Sequence, residues 1–436
     1  MPERRRVLLA GEGDLFHEVR AALEEGGADV RAIEEPDDDA IKDALGEGGL
    51  DVVCVAARED ALPLRIALLV RHLDEDIPLV VTVFDSAMAG QLEAAVPNLE
   101  VTSLADIVAP SLAGPSIDPE ITAVHRGEDG SLLALREDGG RELRREPFVP
   151  PRTSMLSALA TSIFAPYDRS AALMFYGAMS LIGLTALETA GAMAVLDQSF
   201  ADALYGSMKS TATVGPNDAV SDGPGAFKIV IVASMLLTLL SAACFTGGLI
   251  ERLTSTRLTG LVGRRAVPRR DHVVVVGLGQ VGLRLCVLLR ECGIPVVAID
   301  IEATGENVGQ ARRLKLPVVI GRGANPSILR RLSLDRARAL AAVTPDDLAN
   351  VEAAMAARSI NDELQVVLRG GDGDVADETR SLFRIGHVID VHRTGAAYIA
   401  ATTLGKAAEG VAACDGQPRL LLPGGGEERF PPARQG

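Results

Sequence analysis

Two long stretches almost free of charge constrain this chain more than any other feature. Residues 170–196, SAALMFYGAMSLIGLTALETAGAMAVL, carry one charge, Glu188, and residues 226–250, AFKIVIVASMLLTLLSAACFTGGLI, carry only Lys228 near one end. A helix needs about 20 apolar residues to cross a bilayer, and both stretches meet that length. Two buried helices of a soluble core would have the same composition, but two such runs flanking one short polar segment favour membrane spans. Arg152 and Arg169 precede the first run, Arg252, Arg257, Arg264, Arg265, Arg269 and Arg270 follow the second, and residues 198–225 hold only Lys209. This asymmetry predicts a multi-pass protein of the cell membrane with both termini cytoplasmic and the intervening loop outside. Residues 153–168 are expected to form an interfacial helix leading into the first span. Glu188 is expected to face the bundle or snorkel to an interface in a structural role, with a place near the pore mouth as the alternative. Gly247 and Gly248 are read as allowing close helix packing, with a gating hinge as the sharper alternative.

The remaining composition excludes more than it identifies. The 436 residues suffice for two or three domains, and the net charge of −16 lacks the basic footprint of a nucleic-acid binder. The five cysteines form no CxxC pair, so no disulfide framework is expected. The start, MPERRRVLLAGEGD, is basic but has no long apolar run, and it is read as no signal peptide.

On either side of the apolar pair the chain has an α/β rhythm. RVLLAG, ADVRAI, LDVVCVAA and PLVVTVFD are short apolar runs, separated by helical patterns such as DLFHEVRAALEEGG and LPLRIALLVRHLDED. This is the pattern of a parallel sheet, and it predicts a Rossmann-like domain over 1–118. Residues 121–145 look like two or three short strands around glycine turns, giving a small β-rich connector over 119–150. From residue 272, HVVVVGLGQVGLRLCVLLRECGIPVVAID aligns without a gap on RVLLAGEGDLFHEVRAALEEGGADVRAIE. Gly277 falls on Gly11, Gly279 on Gly13, Gly293 on Gly27 and Asp300 on Glu34. The chain therefore carries a duplicated unit, split by the apolar pair.

The second copy contains a full GxGxxG motif: Gly277, Leu278, Gly279, Gln280, Val281, Gly282. It follows the apolar run HVVVV and opens a helical one. The first glycine makes the turn, the second admits pyrophosphate to the backbone, and the third lets helix and strand pack. The helix N-terminus offers N–H groups to phosphates. Asp300 ends the next strand at the interval expected of a ribose-binding acid, which favours NAD over NADP. The first copy has Phe16 at its third glycine position and is expected to bind nucleotide poorly or not at all.

Between the apolar runs stands DALYGSMKSTATVGPND, residues 202–218, a short helical pattern ending in a polar stretch. Polar loops at membrane depth are tolerated when they line a water-filled cavity or are buried in protein. This segment resembles a potassium-channel pore helix and filter, whose TVGYG carbonyls replace an ion's hydration shell. The two runs resemble the outer and inner helices of a two-helix channel subunit, and residues 272 to about 400 resemble the RCK (Trk-type NAD-binding) family. The resemblance implies a two-helix pore module over 151–258, with spans 170–196 and 226–250 and pore helix and filter 201–218. It implies a filter at Thr213, Val214, Gly215, Pro216 and Asn217. Pro216 replaces the tyrosine and Asn217 the second glycine, and asparagine is among the non-glycine residues most tolerant of the positive φ that would keep the backbone path there. It further implies that 271–400 is an RCK N-lobe in which Thr344 and Pro345 form a nucleotide-contacting turn and Arg369 lies near the cofactor. Arg322 stands where the family has an acid and is read as a solvated charge. Too few residues follow 400 for a second lobe, so 401–436 is read as a C-terminal helix and a disordered tail.

The fold class expected is α/β plus membrane α-helical, with two Rossmann-like doubly wound parallel-sheet domains flanking a two-helix pore module. The function implied is a monovalent-cation channel, a tetramer in the membrane passing potassium ions, gated by domains that bind NAD(H) or a related adenine nucleotide. A non-conducting nucleotide sensor and a membrane-anchored NAD-dependent enzyme are the alternatives. The enzyme is disfavoured because no catalytic constellation or metal cluster stands out, and His387 and His392 read as structural.

Overall fold

The structure is a computed structural model of the 436-residue chain. It describes residues 4–57, 61–83, 89, 92, 96–127, 129–138, 142–151, 169–212, 214–254, 268, 270–371, 386–414 and 416–431. The chain divides into two compact units, Met1–Thr153 with Gly260–Gly436, and Ser154–Thr259. The predicted interfacial helix at 153–168 and filter residue Thr213 lie outside the described residues.

The chain begins with β1 (Arg6–Gly11), α1 (Gly13–Glu25), β2 (Asp29–Glu34), α2 (Asp38–Gly46), β3 (Val52–Ala56), α3 (Ala61–Leu73), β4 (Leu79–Val83) and β5 (Leu99–Ser103). These strands form one parallel sheet in the order β2-β1-β3-β4-β5. β1, β3 and β4 are buried along nearly their whole length, which is why their sequences are continuous apolar runs rather than alternating ones. α4 (Leu104–Ile117) follows, then the antiparallel meander β6 (Ile121–Arg126), β7 (Leu132–Asp138) and β8 (Glu142–Pro147).

The second unit holds α5 (Arg169–Leu196), α6 (Phe200–Thr211), a 3-10 turn (Asp218–Asp222) and α7 (Gly225–Thr254). α5 and α7 contain helices of 24 and 26 residues long and apolar enough to cross a membrane, and only 22% of each is buried. A core helix of a soluble protein would be mostly buried, whereas Ile182, Leu187, Ile229 and Leu236 are well exposed here. The two helices touch through small residues. A Cβ on Gly177 would stand 2.8 Å from Phe245 N, and Ser180 Oγ lies 2.8 Å from Ser241 Oγ. Gly247 is not such a contact, because a Cβ there meets open space and α7 runs through it unbroken.

The first unit resumes with β9 (Val273–Val276), α8 (Gln280–Glu291), β10 (Val296–Asp300), α9 (Glu306–Arg313), β11 (Val318–Ile320), α10 (Pro326–Arg331), β12 (Ala339–Ala342), α11 (Asp347–Arg358), β13 (Gln365–Gly370) and β14 (His387–Asp390). The sheet order is β11-β10-β9-β12-β13-β14, all parallel, the doubly wound arrangement of a dinucleotide-binding fold. α12 (Val391–Thr403) then leads into a second antiparallel meander, β15 (Gly410–Cys414), β16 (Gln417–Leu421) and β17 (Glu427–Arg429).

This last element corrects the reading of 401–436. The helix starts at Val391, and the expected disordered tail is a three-stranded sheet. Leu420, Leu421 and Phe430 are buried, and Arg419 is buried while paired with Glu137 of β7 at 3.0 Å. The tail obtains its apolar neighbours from the first meander, including Ala123 and Leu135. Those partners lie almost 300 positions upstream, so local composition carried no sign of them. The duplication thus extends past the Rossmann sheets: each copy is a sheet, a helix and a meander. The copies exchange contacts, α4 packing on α8 and α12 on α1, over one shared apolar core that includes Phe16, Leu112, Leu285 and Ile399.

Candidate functional site

The first candidate site lies at the carboxyl ends of β9, β10, β12 and β13. β9 and β12 are adjacent in the sheet but lead to helices on opposite sides, which opens the crevice where doubly wound folds bind ligands. Gly277 leaves β9 with φ +96°, and its N–H donates to Ile299 O at 2.8 Å. A Cβ on Gly277 would stand 2.8 Å from Thr344 Cγ2 and 3.0 Å from Thr344 N, so the glycine lets the β9 and β12 turns meet. A Cβ on Gly282 would lie 1.9 Å from Gly277 O, which binds α8 tightly to the turn. Gly279 differs: a Cβ there meets nothing within 4 Å. It caps α8 without a side-chain hydrogen bond, so the first-turn N–H groups have no capping side chain from Gly279.

The predicted site residues divide by role. Leu278 and Val281 are core side chains, and only their backbone belongs to the loop. Gln280 is half-buried at the start of α8. Asp300 Oδ2 accepts from Leu278 N at 2.6 Å, and Oδ1 accepts from Glu302 N at 2.8 Å. The carboxylate therefore sits against the glycine loop. Thr344 is half-buried and Pro345 exposed, on the turn beside Gly277, and Arg369 is half-buried at the end of β13. Arg322 is 80% exposed, 3.8 Å from Glu352, as a solvated charge should be.

Asn350, on α11, is a residue the sequence reading missed. It is 1% exposed and organises this end of the sheet. Its Oδ1 accepts from Thr344 N (2.9 Å) and Thr344 Oγ1 (2.7 Å), and its Nδ2 donates to Thr344 O (3.0 Å) and Arg369 O (3.1 Å). One amide thus ties the predicted Thr344 turn to the predicted Arg369. The available sign was an asparagine inside a helix, where it competes with the backbone unless it has partners elsewhere.

In the first copy Phe16 stands at the counterpart position of Gly282. Phe16 is 1% exposed, and its Cδ2 would lie 3.2 Å from a Cβ on Gly11. Glu12 N donates to Ala56 O at 3.2 Å rather than to an acid. Glu34, the counterpart of Asp300, stands 3.1 Å from His17 Nε2.

The second candidate site is the stretch between α6 and α7. Ser199 caps α6, its Oγ accepting from Asp202 N at 3.3 Å. Behind α6 the first apolar helix supplies polar partners. Ser210 Oγ donates to Glu188 Oε1 at 3.3 Å, and Thr185 Oγ1 is 2.7 Å from Thr211 Oγ1. Glu188 is 6% exposed and faces α6. Beyond α6, Val214 is exposed and Gly215 has φ +150°. Asn217 departs from expectation. Its φ is −60° and ψ 126°, so it holds no positive φ; its side chain instead caps the 3-10 turn, accepting from Ala219 N at 3.2 Å. With proline before it and a helical turn after it, the backbone turns aside where a second glycine would let a filter continue.

A family model described as the TrkA-N domain matches residues 273–389. The voltage-gated potassium channel Kch of Escherichia coli is 25% identical over 184 residues, 40% of this chain and 43% of that protein. Potassium channel protein 1 of Methanocaldococcus jannaschii is 21% identical over 209 residues, 46% of this chain and 62% of that protein. The chain therefore matches less than two thirds of either relative's length. The solved GsuK channel shares the fold, with a TM-score of 0.51 at 17% identity over 92% of this chain and 64% of that one. The chain is thus similar to potassium channels over part of its length, with a TrkA-N match in its second Rossmann copy and two candidate transmembrane helices among the described residues.

Proposed function

We propose that the chain is the subunit of a monovalent-cation channel, a homotetramer in the cell membrane with both termini cytoplasmic, whose pore responds to NAD(H) or a related adenine nucleotide. The observation that carries this reading is the second unit. A capped short helix and a glycine-bearing polar stretch, with Val214 exposed and Gly215 at φ +150°, stand between two membrane-length helices. A cation leaving water needs oxygen ligands from several directions, which one such stretch cannot supply and four around an axis can. The potassium-channel relatives support the same reading. The Arg-rich flanks and single Lys209 support the orientation.

The second Rossmann copy fits a dinucleotide. Gly279 and the first-turn N–H groups of α8 would hold the pyrophosphate, and Asp300 the ribose, with Thr344, Pro345 and Arg369 flanking them. Bound there, the nucleotide supplies differential contact energy that favours one conformation of the assembly, and no bond is made or broken. The test is potassium flux from liposomes holding the purified protein, with and without NAD(H). Flux is expected, with a nucleotide effect that Asp300→Ala shifts to higher NAD(H) concentration while flux itself persists.

A second reading, a non-conducting nucleotide-sensing membrane subunit, is favoured by one observation: Asn217 caps a helical turn where a filter would continue. Absence of flux under every nucleotide condition, with NAD(H) still bound, would select it.

A further inference from the structure

The stretch after Gly215 is held mainly by side chains. Its flanking backbone bonds are Val214 N to Lys209 O (3.0 Å) and Val220 N to Asn217 O (2.9 Å), and Pro216 between them has no N–H to give. Asn217 Oδ1 takes the Ala219 N–H at 3.2 Å, which orients the amide so that Nδ2 faces Gln198. Nδ2 donates to Gln198 Oε1 at 2.6 Å, and Gln198 Nε2 returns a longer bond to Asn217 Oδ1 at 3.4 Å. The Asn217 side chain also lies in a slot on α6. A Cβ on Gly206 would stand 2.3 Å from Asn217 Nδ2 and 2.4 Å from its Cγ, so only glycine leaves the slot open. Lys209 Nζ pairs with Asp218 at 2.9 Å, but Asp218 is 91% exposed, and such a pair contributes little. The amide pair and the glycine slot are therefore the main hold.

We propose that Gln198 and Gly206 are positioning residues that latch Asn217 to α6 and thereby set how sharply the pore discriminates potassium from sodium. The inference rests on the pore reading above. Discrimination between two ions of equal charge depends on how well the oxygen ligands hold their number and spacing once water is stripped. Gly215 and Pro216 link those ligands directly to Asn217, so a loosened Asn217 lets the ring relax around either ion. Gln198 precedes the pore helix and Gly206 lies inside it, which is why a filter motif alone does not reveal them.

The experiment uses the full chain in liposomes for reversal potentials in mixed potassium and sodium, and in nanodiscs for amide hydrogen exchange. Gln198→Ala and Gly206→Ala are expected to speed exchange across 214–220 and to lower the potassium-to-sodium permeability ratio about two- to ten-fold, the range of one lost hydrogen bond. Gln198→Leu keeps most of the side-chain volume but removes the acceptor for Asn217 Nδ2, and should lower the ratio as Gln198→Ala does, a loss that a mere packing role would not produce. Unchanged exchange and an unchanged ratio in conducting Gln198→Ala and Gly206→Ala proteins would overturn the latch. An unsubstituted protein without current would overturn the pore reading and the discrimination role with it.

Discussion

At Gly11 and at Gly277 the same turn leaves the same strand, but the backbone that follows is used differently. In the second copy Leu278 N–H goes to the Asp300 carboxylate, and α8 starts after Gly279, whose face is open. In the first copy the equivalent N–H, of Glu12, goes to Ala56 O, α1 starts at Gly13 itself, and Phe16 covers the turn. Glu34 turns to His17 and makes no contact with the loop through that pair. Both sheets keep their parallel order, and both copies end in a helix and a meander. Duplication has preserved what the fold needs, a glycine at the close strand contact, and Gly13 is as open as Gly279; the copies differ in Phe16, a buried core side chain at the counterpart position of Gly282, and in the partner of the N–H that follows the first glycine. The first copy then reads as a structural partner whose α1 and α4 brace α12 and α8.

Exchanging the distinguishing residues should break this comparison most severely. Gly282→Phe puts a Cβ 1.9 Å from Gly277 O, a backbone atom that cannot step aside. Loss of all measurable NAD(H) binding is expected by calorimetry on the full chain, with the membrane unit's helical circular dichroism retained. The reverse exchange should not create a site. Phe16→Ala is expected to cost about 3–5 kcal/mol in denaturant unfolding, as for other fully buried aromatic truncations, without a second nucleotide site appearing.

Acid should separate the copies next. His272 begins the second copy where Arg6 begins the first. Burial pushes the His272 pKa down to about 4. A histidine depressed in the folded state binds its proton more readily when unfolded. Its contribution is therefore full above the ordinary value near 6.5 and is lost as pH falls from there to about 4, by up to ~3 kcal/mol. Hydrogen exchange should quicken in β9 before β1 over that window, and His272→Gln should flatten the difference.

The glycine loop was legible because Gly277 and Gly282 have steric reasons that show at fixed spacing. The close contact at Gly282 and the buried Phe16 at its counterpart position both stand where the alignment puts them. The meander of 410–429 was not legible, because Leu420 and Phe430 are made core residues by partners in the other copy. Asn350 was missed for a related reason: its four bonds join the β12 turn to β13, which only the sheet order brings together. Asn217 was misread because tolerance of a positive φ says nothing of competing side-chain partners. Gln198 and the Ala219 N–H supplied them, and Asn217 stayed in an extended conformation.

One measurement tests the central claim most directly: calorimetric titration of the purified full chain with NAD(H), read for stoichiometry as well as affinity. One site per chain is expected. Asp300→Ala should weaken it by about 1.5–3 kcal/mol, the value of a hydrogen bond to a charged acceptor, while the counterpart Glu34→Ala leaves it unchanged. Two sites per chain, or equal losses from Asp300→Ala and Glu34→Ala, would contradict it.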